Sequence, residues 1–147
     1  LLASGGGTPV PVDPVNPGTP AGIAGTYQGA FTAEIEIRNR VNGNDTTSVT
    51  SVSATAQFRV AAGGALTGTG FGCTIAGSLA LTNATLQLYG GTVTASGCTN
   101  AALNGSYTAG AHREDGGALE LELERETESA NVRTKVKWRG TAARTGA

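Results

Sequence analysis

The stretch Leu119-Glu120-Leu121-Glu122-Leu123-Glu124-Arg125-Glu126-Thr127-Glu128 leads into Arg133-Thr134-Lys135-Val136-Lys137-Trp138-Arg139, and in both one residue type fills every second position. Alternation of this kind is the signature of a β-strand, whose successive side chains point to opposite faces. Leu119, Leu121 and Leu123 share one face with Val136 and Trp138, while acids line the other face of the first strand and bases that of the second. Two such strands joined through Ser129, Ala130 and Asn131 predict an antiparallel hairpin with an apolar side and an ionic side. With the tip at Ala130-Asn131, Glu128 faces Arg133, Glu126 faces Lys135, Glu124 faces Lys137 and Glu122 faces Arg139. On the apolar side Leu123 meets Trp138 and Arg125 meets Val136, with the Arg125 stem covering the edge of the core. Each exposed ion pair is worth a few tenths to about 1 kcal/mol. The ladder therefore serves more to hold register and discourage edge aggregation than to stabilise.

Working back along the chain, the same period recurs. Phe31, Ala33, Ile35 and Ile37 alternate with Thr32, Glu34, Glu36 and Arg38, predicting a strand from about Thr26 to Asn39. Val52, Ala54, Ala56, Phe58 and Val60 form the inward set of a second strand, about Ser48 to Val60. Matching Ile37 with Val52 and Phe31 with Phe58 gives a long hairpin with a loop at Asn42–Thr47. The middle of the chain is richer in glycine and reads as short strands near 65–70, 72–76, 79–81, 84–89, 92–96 and 103–109. No stretch carries a helical period of useful length. The expected fold is all-β: a small up-and-down antiparallel β-barrel or strongly coiled meander, with a two-sheet sandwich as the alternative.

The chain has 147 residues, enough for one core, and all five prolines fall between Pro9 and Pro20. Residues 1–24 therefore read as a Gly/Pro-rich leader or tether and 25–147 as the folded domain. A net charge of −1 provides no field to attract nucleic acid or an anionic membrane. With three Phe, three Tyr and one Trp, the core must be built mainly from Ala, Val, Leu and Ile. Cys73 and Cys98 are the only cysteines, with no CxxC and no nearby histidine, which favours one disulfide over a metal site. Such a bridge stabilises by about 3–4 kcal/mol in the chain-entropy picture and implies an oxidising compartment.

Candidate chemistry is sparse. His112, in His112-Arg113-Glu114-Asp115-Gly116-Gly117, reads as part of an exposed turn, with no nucleophile at a catalytic spacing. Asn42, Asn44 and Asp45 offer oxygen ligands but lack the acidic density of a calcium loop, so they read as a turn. The three Asn-x-Ser/Thr matches at Asn44, Asn83 and Asn104 are expected by chance in a chain this rich in Thr and Asn. No catalytic, metal-binding or cofactor-binding residue is assigned, and an enzyme is not expected. Arg133, Lys135, Lys137 and Arg139 lack interleaved exposed aromatics, so no nucleic-acid partner is expected either.

The leader Leu1-Leu2-Ala3-Ser4-Gly5-Gly6-Gly7, with the pair Thr69-Gly70-Phe71-Gly72-Cys73-Thr74 and Ser96-Gly97-Cys98-Thr99-Asn100, resembles small secreted lipoproteins and surface antigens of Burkholderia-type proteobacteria. The lipidated cysteine of that pattern does not occur in the leader. The resemblance implies residence in the periplasm, attached to the outer membrane or at the cell surface, with membrane contact only through an N-terminal lipid anchor. It implies recognition by a host immune system and no reaction. The expected function is a non-enzymatic envelope module acting through protein contact or structural support. The alternative is a carrier of a small apolar ligand inside the barrel.

Overall fold

A computed structural model describes residues 21–147. The leader expected at 1–24 thus falls mostly outside the described residues. Eight strands follow one another in the chain: β1 Gly25–Val41, β2 Asn44–Val60, β3 Ala65–Gly70, β4 Cys73–Asn83, β5 Leu88–Ser96, β6 Gly105–Arg113, β7 Leu119–Ser129 and β8 Val132–Gly146. Each pairs antiparallel with its sequence neighbour, and β8 returns to pair with β1, closing the barrel. The architecture is the up-and-down barrel, not the meander or the sandwich. Short 3-10 turns, Ala21–Ile23 and Ala101–Leu103, precede β1 and β6. Ile23 is fully buried, so the packed region includes the turn before β1.

The last hairpin keeps the register its alternation dictates: Glu122↔Arg139, Leu123↔Trp138, Glu124↔Lys137, Arg125↔Val136, Glu126↔Lys135 and Glu128↔Arg133. The first hairpin does not. Phe31 lies opposite Ala54 rather than Phe58, and Ile37 opposite Ser48 rather than Val52. The cause is the turn. Asn42 and Gly43 both adopt positive φ, 52° and 78°, so Val41 and Asn44 close a two-residue connection and the expected loop at 42–47 does not exist. Turn chemistry outranked the match of aromatic side chains.

In the middle of the chain the expected fragments merge. Residues 73–76 and 79–81 belong to one strand, β4, with Gly72 in the turn before it, and 92–96 joins 88–91 in β5, while 84–87 is the turn between them. Gly77 and Gly91 are inward positions within these strands. A Cβ on Gly91 would run into the Ser78 carbonyl, and one on Gly77 into the Thr92 carbonyl. Strands coil tightly at these points to close a small barrel.

Two aromatic clusters fill the interior. Tyr27 stacks on Phe58 at 5.3 Å between ring centroids, with Phe31 edge-on to Phe58 at 6.3 Å. Trp138 meets Phe71 at 5.0 Å and Tyr107 at 5.6 Å. Leu66, Leu79, Val93, Leu119, Leu123 and Val136 pack among them, essentially without exposure.

The ends are closed by one device used twice. The Tyr27 hydroxyl donates to the Ile23 carbonyl at 2.7 Å, and the Tyr107 hydroxyl to the Leu103 carbonyl at 2.6 Å. The sequences are Ala21-Gly22-Ile23-Ala24-Gly25-Thr26-Tyr27 and Ala101-Ala102-Leu103-Asn104-Gly105-Ser106-Tyr107, and Gly25 and Gly105 have φ 153° and 144°. β1 and β6 run in opposite directions, so one copy plugs each end of the barrel. This internal echo is legible in the sequence once its glycine–tyrosine spacing is noticed.

Candidate functional site

β3 has six residues and meets β2 only from Gln57 to Val60. Above Gln57, β2 has β1 on one side and no strand on the other. On the far side of the same sheet, the β6–β7 ladder ends at Glu124 while β7 and β8 stay paired to Ser129 and Val132. The hairpins β1–β2 and β7–β8 therefore continue past the rest of the barrel as a four-stranded ribbon ordered β2-β1-β8-β7. The Arg40 amide ties the two tips by donating to the Asn131 carbonyl at 2.9 Å.

Along β2, every residue from Asn44 to Ser53 is exposed, on both faces of the strand. Val52, expected among the inward residues, has the right parity but is 43 % exposed, because the barrel wall that would cover it has ended. Val41 and Val49 are 60 % and 56 % exposed, so three of the four large exposed apolar side chains among the described residues sit on this one hairpin.

The charge ladder occupies the ribbon's outer face and is wider than two strands. Lys137 lies between Glu34 of β1 and Glu124 of β7, and Lys135 between Glu36 and Glu126. The basic strand is thus flanked by acids on both sides. Contacts favour the diagonal over the directly opposite partner: Arg133 Nε reaches Glu126 at 3.3 Å and Lys135 Nζ reaches Glu124 at 3.4 Å, while Lys137 Nζ also approaches Glu124 at 3.9 Å. Strand twist brings diagonal neighbours within reach of long side chains. Glu122 and Arg139, and likewise Glu128 and Arg133, are ladder neighbours without an ion pair between them.

At the tip, Arg40 holds Asp45 through Nε at 3.0 Å. The hydrogen bond from Arg40, aided by the charges of Arg40, Arg38 and Arg133, keeps the Asp45 carboxyl below the usual carboxylate range. A hollow of ≈ 280 Å³ lies here, lined by Arg38, Arg40, Asp45, Glu128 and Arg133 among others.

A second hollow, ≈ 470 Å³, lies on the wall of β5, β6 and β7, lined by Leu88, Gly110, His112, Glu120, Glu122 and Arg139 among others. His112 is on strand β6, half-buried, and not in a turn as its sequence context suggests. Its ladder partner is Glu120, with Nδ1 3.9 Å from the carboxylate. Glu114 joins them because its amide and carbonyl close the β6–β7 turn with Ala118 and Gly117. Ligand atoms of the three lie within 4.8 Å of one another. The grouping depends on cross-strand pairing, which linear spacing does not display.

Cys73 and Cys98 form the expected disulfide. It sits just beyond the Thr74↔Ser96 pair, where the β4–β5 ladder ends. A structural disulfide fits an oxidising, extracytoplasmic setting. No helix among the described residues is long and apolar enough to cross a membrane. Comparison with known protein families, characterised proteins and solved structures finds no match to this chain.

Proposed function

We propose that this chain is a non-enzymatic module of the bacterial cell envelope or cell surface that acts through protein contact, made by the ribbon β2-β1-β8-β7. The observation that carries this reading is the run Asn44–Ser53 of β2, fully exposed and without a neighbouring strand on the side away from β1. Sheet edges with free N–H and C=O groups bind extended segments by strand addition. Periplasmic or outer-membrane-attached residence, with an N-terminal lipid anchor and exposure to a host immune system, belongs to the same reading. Its support is the disulfide together with the resemblance of the leader and the two Gly-Cys-Thr corners to secreted lipoproteins.

The carrier reading draws its support from barrel closure alone. Against it stand the two aromatic clusters in the interior, the plugs at both ends, and hollows lined largely by outward-facing residues. The deciding experiment captures proteins from envelope extract with the wild-type chain and with Ser51→Lys, which places a charge on the open edge. Specific partners lost by Ser51→Lys support the contact reading, and identical captured sets refute it. Native mass spectrometry of the purified chain checks the carrier reading directly: a retained apolar ligand would favour it.

A further inference from the structure

The chemistry of the β2 edge says what it can accept. In a hairpin closed by a two-residue turn, the flanking residues, here Val41 and Asn44, exchange both backbone hydrogen bonds. Even-numbered residues along β2 therefore spend their backbone groups on β1. Asp45, Thr47, Val49, Ser51 and Ser53 aim theirs outward, continuing the row that Gln57 uses to meet Thr69 of β3.

Proteins guard such edges with lysine, proline, bulges or inward charges. The run Asn44–Thr55 contains no lysine, arginine, proline or glycine, and its pairing with β1 shows no register shift. Its single charge, Asp45, is held by Arg40. The opposite edge of the ribbon is different: beyond the β6 ladder, β7 is short and carries Glu126 and Glu128. One edge is guarded and the other is open.

We propose that the open edge pairs with the same edge of a second copy of the chain, antiparallel, about a twofold axis through Val49. This rests on the contact reading above and names the partner. An antiparallel edge is self-complementary under a twofold, because each outward residue offers one donor and one acceptor to its mate. Centring on Val49 sets that side chain, the only apolar one on the outer face of the run, against its own copy. Thr47 then faces Ser51 and Asp45 faces Ser53, so no like charges meet. The acidic rows at Glu34 and Glu36 of the two copies lie three strand spacings apart, roughly 14 Å. That exceeds the ~8–10 Å screening length at ordinary salt, so their repulsion is weak. A single strand pair is a small interface, so the dimer is weak and dependent on concentration.

Sedimentation equilibrium across a wide concentration range tests this. The wild-type chain is expected to dimerise, and Val49→Lys to raise the dissociation constant at least about tenfold. Leu86→Lys, on an exposed leucine in the β4–β5 turn, is expected to leave it unchanged. Thermal melts of both variants confirm that the barrel is intact. Cross-linking fixes the axis. Facing hydrogen-bonded residues have Cα atoms about 5.5 Å apart, within disulfide range. The described cysteines are already paired, so only an introduced thiol reacts. Mild oxidation should give covalent dimer from Val49→Cys and little from Ser53→Cys. A wild-type chain monomeric throughout, a dimer indifferent to Val49→Lys, or equal cross-linking by both cysteines overturns the proposal. If the chain is monomeric yet Val49→Lys abolishes specific capture from envelope extract, the second copy is wrong and the contact surface stands. If capture is unaffected as well, both fall.

Discussion

Ala130 holds a backbone conformation that its side chain disfavours. Its φ is 51°, in the left-handed region where a Cβ crowds the following carbonyl oxygen, at a cost of roughly 1–2 kcal/mol. The ion-rich hairpin imposes this angle, because the register of the ladder on either side leaves only Ala130 and Asn131 to turn the chain. Ala130→Gly removes the crowding but adds unfolded-state entropy worth about 0.4–1 kcal/mol. The expected net gain is therefore up to about 1 kcal/mol, read as a raised denaturant midpoint with unchanged slope. Tyr27 and Tyr89 titrate in the opposite sense to a salt-bridged acid. Burial pushes the Tyr27 hydroxyl above the ordinary tyrosine range, against the pull of Arg144 and Arg113, and it does the same to Tyr89 against Arg113. The folded chain thus keeps protons that the unfolded chain releases near pH 10. Their contribution is complete below about pH 10 and declines as the pH climbs through the folded values. Tyr27→Phe is expected to cost about 1 kcal/mol at neutral pH through the lost bond to Ile23. It should also flatten the alkaline fall in stability measured by urea titration, and an unchanged alkaline slope would contradict the assignment.

Strands are legible in this sequence to the extent that their two faces differ. An apolar residue alternates strictly with Glu, Lys or Arg over Leu119–Glu124 of β7 and Lys135–Arg139 of β8, and the register of the pair follows from the tip alone. In β1 and β2 the parity is clear but the register is not, since Ala, Val and Phe on one face and Ser, Thr and Gln on the other permit several slides. The deciding signal was Asn42-Gly43, whose two positive φ angles make the turn two residues long. β4 and β5 read as fragments in the sequence because glycines there, such as Gly90-Gly91, resemble turn or bulge signals. Gly77 and Gly91 instead leave room where a neighbouring strand's carbonyl crosses the inward side. Gly91→Ala drives a methyl into the Ser78 carbonyl and should destabilise by about 1–3 kcal/mol or more, measured by chemical denaturation. Gly110→Ala, in open space, should change stability far less. The open edge was invisible at sequence level for a related reason. Residue composition places β2 in a sheet, but only the six-residue length of β3 reveals that most of β2 lacks a second neighbour.

At the scale of the molecule, closure and stapling work on different parts of the unfolding reaction. The β1–β8 ladder joins the two ends of the described chain, so barrel closure is a long-range event whose loop entropy must be offset by the packed interior. The Cys73–Cys98 bridge spans 25 residues and contains only β4 and β5, yet it lies at the same end as the ribbon and the Tyr107 plug. There Asn104 Oδ1 accepts from the Cys98 amide at 3.0 Å, and Arg125 Nη2 donates to the Ala102 carbonyl. The bridge therefore anchors the segment that carries the plug, as well as shortening the unfolded chain. Replacing both cysteines by alanine is expected to lower stability by about 3–4 kcal/mol from chain entropy, a large share of the ~5–15 kcal/mol typical of a single domain. Because the plug loosens with it, amide exchange should accelerate first across Gly97–Tyr107 and only later at the Tyr27 end, whose corresponding plug has no covalent anchor nearby. Uniform acceleration over both ends would mean that the bridge acts on the unfolded chain alone. Acceleration confined to the Tyr107 end would establish that two equivalent plugs on one barrel differ in stability because one of them is tied to a disulfide.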